Sequence, residues 1–313
     1  MNGLELSLAF YEACGRPVLE REFSALLPQL AVGLCGSGSE CFGYDDEVSR
    51  DHDFEPGFCI FLPDETVVDR RSEFLLERAY AKLPKEFLGF RREVMLPVGG
   101  ARRGVLRTAE FFLRVVGTPD GALTTRQWLA LPEQALAEAT NGRLFFDGRG
   151  DVTRIRAALH YFPEEIRRKR LAGHLLLMGQ SGQYNYTRCL RHGEPAAAQL
   201  AAVEFVKSAL SVIFLLNRRY QPYYKWSFRA LRALPCLSEL AEPLAQLLVT
   251  PNDPVSAQEK AAQIEAVAAA VIALAASQGL TAVSSSELER HAYAVNDGIR
   301  DAELRNLHVL AAV

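Results

Sequence analysis

Residues 34–61 read LCGSGSECFGYDDEVSRDHDFEPGFCIF, and the reading of the whole chain turns on this stretch. An apolar run, residues 30–34, enters a turn made of Gly36, Ser37, Gly38 and Ser39. Eleven residues separate Ser39 from Asp51, His52 and Asp53, and a second apolar run, residues 58–62, follows. Side chains alternate along a strand, so a strand here would put Asp51 and Asp53 on one face and His52 on the other. Two carboxylates with Cα atoms about 7 Å apart can converge on a hard divalent cation such as Mg²⁺. The glycines let backbone N–H groups cradle an anion such as a polyphosphate. A phosphate nest beside a carboxylate pair suits metal-assisted transfer of a phosphoryl or nucleotidyl group.

Outward from this stretch, the 313 residues are enough for two domains, and 49% hydrophobic content is that of an ordinary globular chain. A net charge of −3 supplies no basic field for nucleic acid and argues against DNA as a partner. Short basic runs at Arg91–Arg92, Arg102–Arg103 and residues 167–170 read as solvated faces. The six cysteines form no CxxC pair and no zinc-like cluster with histidine, which suits buried, reduced thiols; a Cys35–Cys41 disulfide is the alternative. The N-terminal segment carries Glu5 and no basic leader, so no secretory signal is expected. The longest apolar run, residues 266–276, falls short of a membrane span, and a cytoplasmic protein with no membrane partner is expected.

In chain order, residues 3–13 and 19–27 read as two helices separated by Pro17, with Pro28 ending the second. Helical spacing recurs over 66–83, and residues 105–108 suggest a strand followed by a helix over 109–116. Helices are predicted at 125–131 and 133–139, Asn141-Gly142 marks a turn, and 144–146 is a short strand ending at Asp147. Asp151 is the expected N-cap of a helix over 152–161. Beyond Pro163 the pattern is helical throughout: 164–180, 195–216, 226–234, 237–248, 257–277 and 286–309. The fold class is therefore α+β over residues 1–162, followed by an all-helical bundle over 163–313.

The stretch GSGSECFGYDDEVSRDHDF resembles the signature of the polymerase-beta-like nucleotidyltransferase superfamily: Gly-Ser after a strand, then two carboxylates one residue apart roughly a dozen positions on. More narrowly, SECFGYDDEVSRDHDFEPGF, SGQYNYTRCLRHGE and LLNRRYQPYYKW look like an uncharacterised bacterial domain family within it. The resemblance implies a nucleotidyltransferase-like mixed sheet with flanking helices, then a helical domain similar to that of the small-molecule antibiotic nucleotidyltransferases. It implies that Gly38 and Ser39 hold the terminal phosphates of a nucleoside triphosphate, and that Asp51 and Asp53 bind Mg²⁺ or Mn²⁺. A third carboxylate on a neighbouring strand would take the proton of the acceptor hydroxyl. The strand candidate VLRT, residues 105–108, has no acid. Asp147 is the best candidate for that role, with Glu110 and Asp69 behind it; as a plain turn residue before Gly148, Asp147 has a structural reading too.

The helical half holds a second polar-aromatic cluster: Gln183, Tyr184, Asn185, Tyr186 and Arg188, then Asn217, Arg218, Arg219, Tyr220, Tyr223, Tyr224, Lys225 and Trp226. Rings stack on bases and cations bind phosphate, so Tyr184, Arg188 and Lys225 are the residues expected to face the nucleotide; packing of the bundle is the competing reading. Asp45 and Asp46 read as solvated loop residues, with shaping of the metal site as the alternative; Arg50 reads as the partner of one of them, with a phosphate as the alternative, and His52 as a structural histidine. The leading expectation is transfer of an NMP, most simply AMP, from an NTP to a hydroxyl on a small molecule, a protein or RNA. The alternative is a catalytically weak nucleotide-binding or regulatory protein on the same scaffold. A Ca²⁺-binding acidic loop ranks below both, because Asp45, Asp46, Asp51 and Asp53 do not match DxDxDG spacing.

Overall fold

The structure is a computed structural model and describes residues 1–48, 54–92 and 102–313. Asp51, Asp53, His52 and Arg50, and with them the strand expected over 51–53, lie outside the described residues. The chain opens with α1 (Gly3–Phe10) and α2 (Arg16–Glu22), joined by a π-helical turn at Tyr11–Gly15, then β1 (Ala31–Leu34) and the single turn α3 (Ser39–Phe42). There follow β2 (Cys59–Leu62), α4 (Arg70–Ala81), the small hairpin β3 (Glu86–Phe87) and β4 (Phe90–Arg91), β5 (Gly104–Arg107) and α5 (Thr108–Val116). Next come α6 (Thr125–Ala130), α7 (Glu133–Thr140), β6 (Arg143–Asp147) and α8 (Asp151–Ala158). The remainder holds α9 (Glu164–Met178), α10 (Thr187–Arg191), α11 (Pro195–Leu216), α12 (Tyr224–Leu231), α13 (Ala241–Val249), α14 (Pro254–Ser277), α15 (Leu288–Asp297) and α16 (Ala302–Asn306). Two compact units result: Met1–Leu123 with Ala135–His160, and Thr124–Gln134 with Tyr161–Val313.

The first unit is built on a mixed sheet of order β5-β2-β1-β6. β1 is antiparallel to both β2 and β6, and β2 is parallel to β5. The two central strands, AVGL and CIFL, are buried along their whole length, which is why they read as unbroken apolar runs rather than as alternation. One face carries Val32, Ile60 and Leu62 into a core with Phe10, Tyr11, Leu19, Leu76 and Tyr80 from α1, α2, the turn between them and α4. On the other face Phe61 meets Phe111 of α5 edge-on at 5.2 Å. Each such side chain contributes about 1.5–3 kcal/mol relative to exposure. A bulge falls between Val32 and Gly33 where β1 meets β6. A Cβ at Gly33 would sit 2.5 Å from the Arg143 carbonyl oxygen, so only glycine permits this close pairing.

Several local expectations change. Pro17 does not separate two helices: it occupies the first turn of α2, where the missing N–H costs nothing, and the π-turn before it keeps the chain helical. Helix α4 starts at Arg70 rather than 66, because the Asp69 carboxylate caps it by accepting from Ser72 N at 2.7 Å. Asp151 is not an N-cap; it opens α8 after Gly150, which takes the left-handed conformation at φ 73°. The helix expected over 286–309 is two helices, α15 and α16, followed by a 3-10 turn at Val309–Ala312.

The second unit packs around α9 and α11. By length and composition α11 and α14 are each long and apolar enough to cross a membrane, as core helices of a bundle also are, and 61% of the apolar window of α11 is buried against 33% for α14. The basic run at 167–170 is largely a buried bracket, not a solvated face. Arg167 pairs with Glu164 and donates to the Leu215 carbonyl; Lys169 donates to Asn296 Oδ1 and to the carbonyls of Arg305 and Leu307. Arg170 Nη2 reaches the carbonyls of Trp128, Leu129 and Leu131. Long basic side chains serve here because each delivers several donors to carbonyls at or near the ends of other elements.

The block SGQYNYTRCLRHGE forms the π-helical continuation of α9 at Gly179–Tyr186, and then α10. A Cβ at Gly182 would overlap the Phe205 ring and stand 2.9 Å from Ile264 Cγ2. Gly182→Ala is expected to cost about 1–3 kcal/mol through overpacking. Urea unfolding monitored by circular dichroism checks this; an unchanged midpoint would refute the packing account.

Candidate functional site

The turn after β1 is held by residues far apart in sequence. The Asn141 side chain accepts from Gly36 N at 2.9 Å and donates back to the Gly36 carbonyl at 2.8 Å, while Gly142 N donates to the Cys41 carbonyl at 2.8 Å. Arg156 braces the far side by donating to the Asn141 and Thr140 carbonyls. The Asn141-Gly142 turn signal therefore locks the Gly-Ser turn. Gly36 and Gly38 stand at φ 111° and 123°, a conformation that L side chains rarely adopt, and Ser39 begins α3 directly after them. Cys35, Cys41 and Cys59, around the turn, are free thiols. Burial raises the pKa of all three, Cys35 to about 11, so they stay protonated and inert.

Strand directions decide what else reaches the turn. The start of β2 pairs with Gly33 near the end of β1, and the start of β5 pairs with the start of β2. Residues just before β2 and just before β5 thus arrive at the turn's end of the sheet. From these segments come Glu55, Arg102 and Arg103. Arg103 is buried between two carboxylates, with Nη2 to Glu40 Oε1 and Nη1 to Glu55 Oε1 both at 3.1 Å. Burial lowers its pKa, but the charges of Glu40 and Glu55 outweigh that and leave it raised. A Cβ at Gly38 would overlap both Glu40 carboxylate oxygens and lie 2.7 Å from Arg102 Nη2. The space that Gly38 leaves open is filled by a carboxylate and a guanidinium of the same chain. Gly3, in the first turn of α1, presses equally closely on Glu40, and its N–H donates to Asp45 Oδ2 at 2.8 Å. Asp45 therefore ties the loop to α1 and is not a solvated residue.

Of the predicted site residues, Gly38 and Ser39 form the turn. Asp147 lies at the other end of the sheet: it pairs with Ala31 at the start of β1, about 10 Å along the strand from the turn. Its carboxylate accepts from Gly150 N, Thr153 N and Thr153 Oγ1, at 2.9, 2.8 and 2.7 Å, and so organises the entry to α8. Asp69 caps α4, and Glu110 is exposed in the first turn of α5. Asp147 and Asp69 are not brought to the turn, and Glu110 adjoins Phe111, whose ring lies against Gly36. The carboxylates that are brought there, Glu40 and Glu55, had weak signals: Glu40 follows Ser39, and Glu55 continues the every-second-residue pattern of Asp51 and Asp53. Among the described residues no group of three His, Cys, Asp or Glu side chains could hold a metal ion.

In the second unit Tyr184 and Arg188 pair with each other, Nη1 donating to the phenol oxygen at 2.7 Å, and Lys225 lies over the Trp226 ring at 5.1 Å. Others in that cluster are structural. Tyr186 is fully buried with its hydroxyl on Asn252 Oδ1, Gln183 bonds Glu265, Ser286 and Leu288, and the Asn217 amide brackets Cys236. Glu133, Arg170, His174, Ser211, Gln221 and Tyr223 gather around a cavity of about 650 Å³. Burial pushes the Glu133 carboxyl up to about 7 against the pull of the Gln221 N–H and the Arg170 charge. Burial, with the charges of Arg170 and Lys207, drives His174 down to about 3.

A family model described as Domain of unknown function (DUF4037) matches residues 128–227, so this stretch is similar to an uncharacterised domain family. No curated protein and no solved structure matches the chain.

Two outcomes are expected. Arg103→Met, which takes the guanidinium away from the buried Glu40 carboxylate and from the partly buried Glu55, should lower stability by about 3–5 kcal/mol, and adding Glu40→Gln should recover part of the loss. Guanidinium unfolding of the single and double variants measures both; a loss below about 1 kcal/mol would show the pair to be dispensable. The second concerns pH. Glu133 is protonated in the fold up to about 7 but only to 4.5 when unfolded, so its contribution to stability falls as pH rises between those values. His174 is neutral in the fold down to about 3 but charges below 6.5 when unfolded, so its contribution falls as pH drops between those values. Between pH 4.5 and 6.5 the two slopes oppose each other. Glu133→Gln should therefore make stability rise with pH in that window, and His174→Gln should make it fall, each by up to about 1.4 kcal/mol per pH unit. Unfolding curves at three pH values decide the matter, and parallel profiles for both variants would contradict it.

Proposed function

We propose that the chain is a Mg²⁺- or Mn²⁺-dependent nucleotidyltransferase that moves an NMP, most simply AMP, from an NTP to a hydroxyl. The observation that carries this reading is the convergence at one end of the sheet: a Gly-Ser turn with two left-handed glycines, opening directly into a helical turn, meets two arginines from the segment before β5. Backbone N–H groups in such a turn, the Ser39 hydroxyl, and the charges of Arg102 and Arg103 form a set of donors for a polyphosphate. A triphosphate there would compete with Glu40 and Glu55 for those arginines.

Asp51 and Asp53 would hold the metal, since Glu40 and Glu55 are committed to Arg103, and the metal would neutralise charge on the phosphate oxygens. In the reaction the acceptor oxygen bonds to the α-phosphorus and the bond from that phosphorus to the bridging oxygen breaks. Pyrophosphate leaves, and the hydroxyl proton passes to a base. The acceptor is a small molecule, a protein side chain or an RNA end. A second reading, a nucleotide-binding or regulatory protein with weak catalysis, draws support from the commitment of Asp147 and Asp69 to helix starts away from the turn, which leaves the base unassigned.

Incubation with each α-labelled NTP, Mg²⁺ or Mn²⁺ and a fractionated cell extract tests both. Transferase activity predicts label on one acceptor class and steady pyrophosphate release, both lost by at least about a hundredfold in Asp51→Ala and Asp53→Ala. Saturable NTP binding without pyrophosphate release would select the regulatory reading. Labelling that survives both substitutions would sink the proposal.

A further inference from the structure

The cavity of the second unit is a built site that the nucleotidyltransferase reading leaves unused. Its volume of about 650 Å³ lies within the range of small-molecule sites. All its lining residues belong to the second unit. Apolar residues such as Leu129, Leu131, Pro132 and Val313 make up much of the wall, with polar and charged side chains set among them, the mixture usual for a small-molecule site. Arg170 and His174 stand one turn apart on the same face of α9. Among the described residues four buried side-chain polar atoms make no hydrogen bond, and two of them are Arg170 Nε and His174 Nδ1. An unmade bond at a buried polar atom costs about 1–3 kcal/mol; both of these atoms are shut off from water, and both belong to residues that line the cavity.

The rest of the wall is held in place. Arg170 Nη2 is fixed on the carbonyls of Trp128, Leu129 and Leu131. Gln221 donates its backbone N–H to Glu133 Oε2 at 2.9 Å, accepts from Ser211 Oγ at 2.8 Å, and passes its amide N–H to Ser227 Oγ. This network orients the groups before any ligand arrives, as a binding site requires. Tyr223 and Tyr224, which also line the cavity, have ring centroids 4.2 Å apart and are 40% and 73% exposed. They offer an aromatic surface on which an apolar ring face can rest.

The charges narrow the ligand. A cation would meet Arg170, and an anion would meet Glu133 wherever that carboxyl is ionised, above about 7, so the wall is matched to a neutral molecule that both donates and accepts. Hydroxyl groups do both, and a ring carrying them also has C–H faces for the tyrosines. We propose that this cavity binds a neutral polyhydroxylated ring, a sugar or cyclitol of one or two rings, between Arg170 and His174 on one side and Glu133, Ser211 and Tyr223 on the other.

The test is calorimetric titration of the full chain with D-glucose, maltose and myo-inositol, with adenosine and inorganic phosphate as the alternative chemistries. Saturable binding of at least one of the first three is expected, weakened about tenfold or more by Glu133→Gln and by Tyr223→Ala, and retained in Tyr223→Phe. Circular dichroism melts identify any variant that fails to fold, and Ser211→Ala, the smallest change in the wall, then replaces it with the same expectation. Binding of none of the three, binding of adenosine or phosphate instead, or sugar binding that all the wall variants leave unchanged would each overturn the proposal.

Discussion

Buried cations that must be given lone pairs organise the second unit. Helix α9 carries Arg167, Lys169 and Arg170 into its interior, where an unpaired charge is prohibitive. Each donates to carbonyls at the ends or loops of other elements, Arg167 pairing with Glu164 as well, and so joins α9 to the end of α11, to the segment after α16 and to the segment after α6. Burial lowers the Lys169 pKa, as expected where carbonyls rather than carboxylates surround an ammonium. The same need for partners is met incompletely at Arg170 and His174, and that shortfall sets their cavity apart from the rest of the bundle.

In the first unit the corresponding device is Arg103. It sits where β5 begins, and it neutralises Glu40 and Glu55 in a place shielded from water. Because Gly38 carries no side chain, the Glu40 carboxylate and the Arg102 guanidinium fold over the turn itself. The turn is thus a place where the chain already holds an anion against backbone and arginines. An external phosphate would meet chemistry that this protein uses internally.

Much of the architecture was legible from pattern. The two central strands could be read because burial on both faces makes their sequences continuously apolar, and α11 because its apolar stretch is long and bounded by Pro195 and Asn217. The Gly-Ser turn was legible because only glycine accepts φ near 110–120°. The basic run on α9 was not. Four charges in a row look the same whether they face water or carbonyls, and the carbonyls that decide the matter lie 39 to 138 residues away. Glu40 was equally opaque, since its role depends on a strand that arrives 63 residues later.

Local chemistry therefore determined the α+β-then-helical order of the elements, the turn after β1 and the glycines it needs. Tertiary structure alone decided which charged groups meet. Strand direction carries Arg102, Arg103 and Glu55 to the turn and Asp147 to the opposite end, and helix packing, not sequence spacing, gathers Glu133, Arg170, His174 and Tyr223 around one cavity. The physical reason is that backbone conformation is set by near neighbours, whereas the partner of a buried charge is whichever group the fold brings within about 3 Å of it.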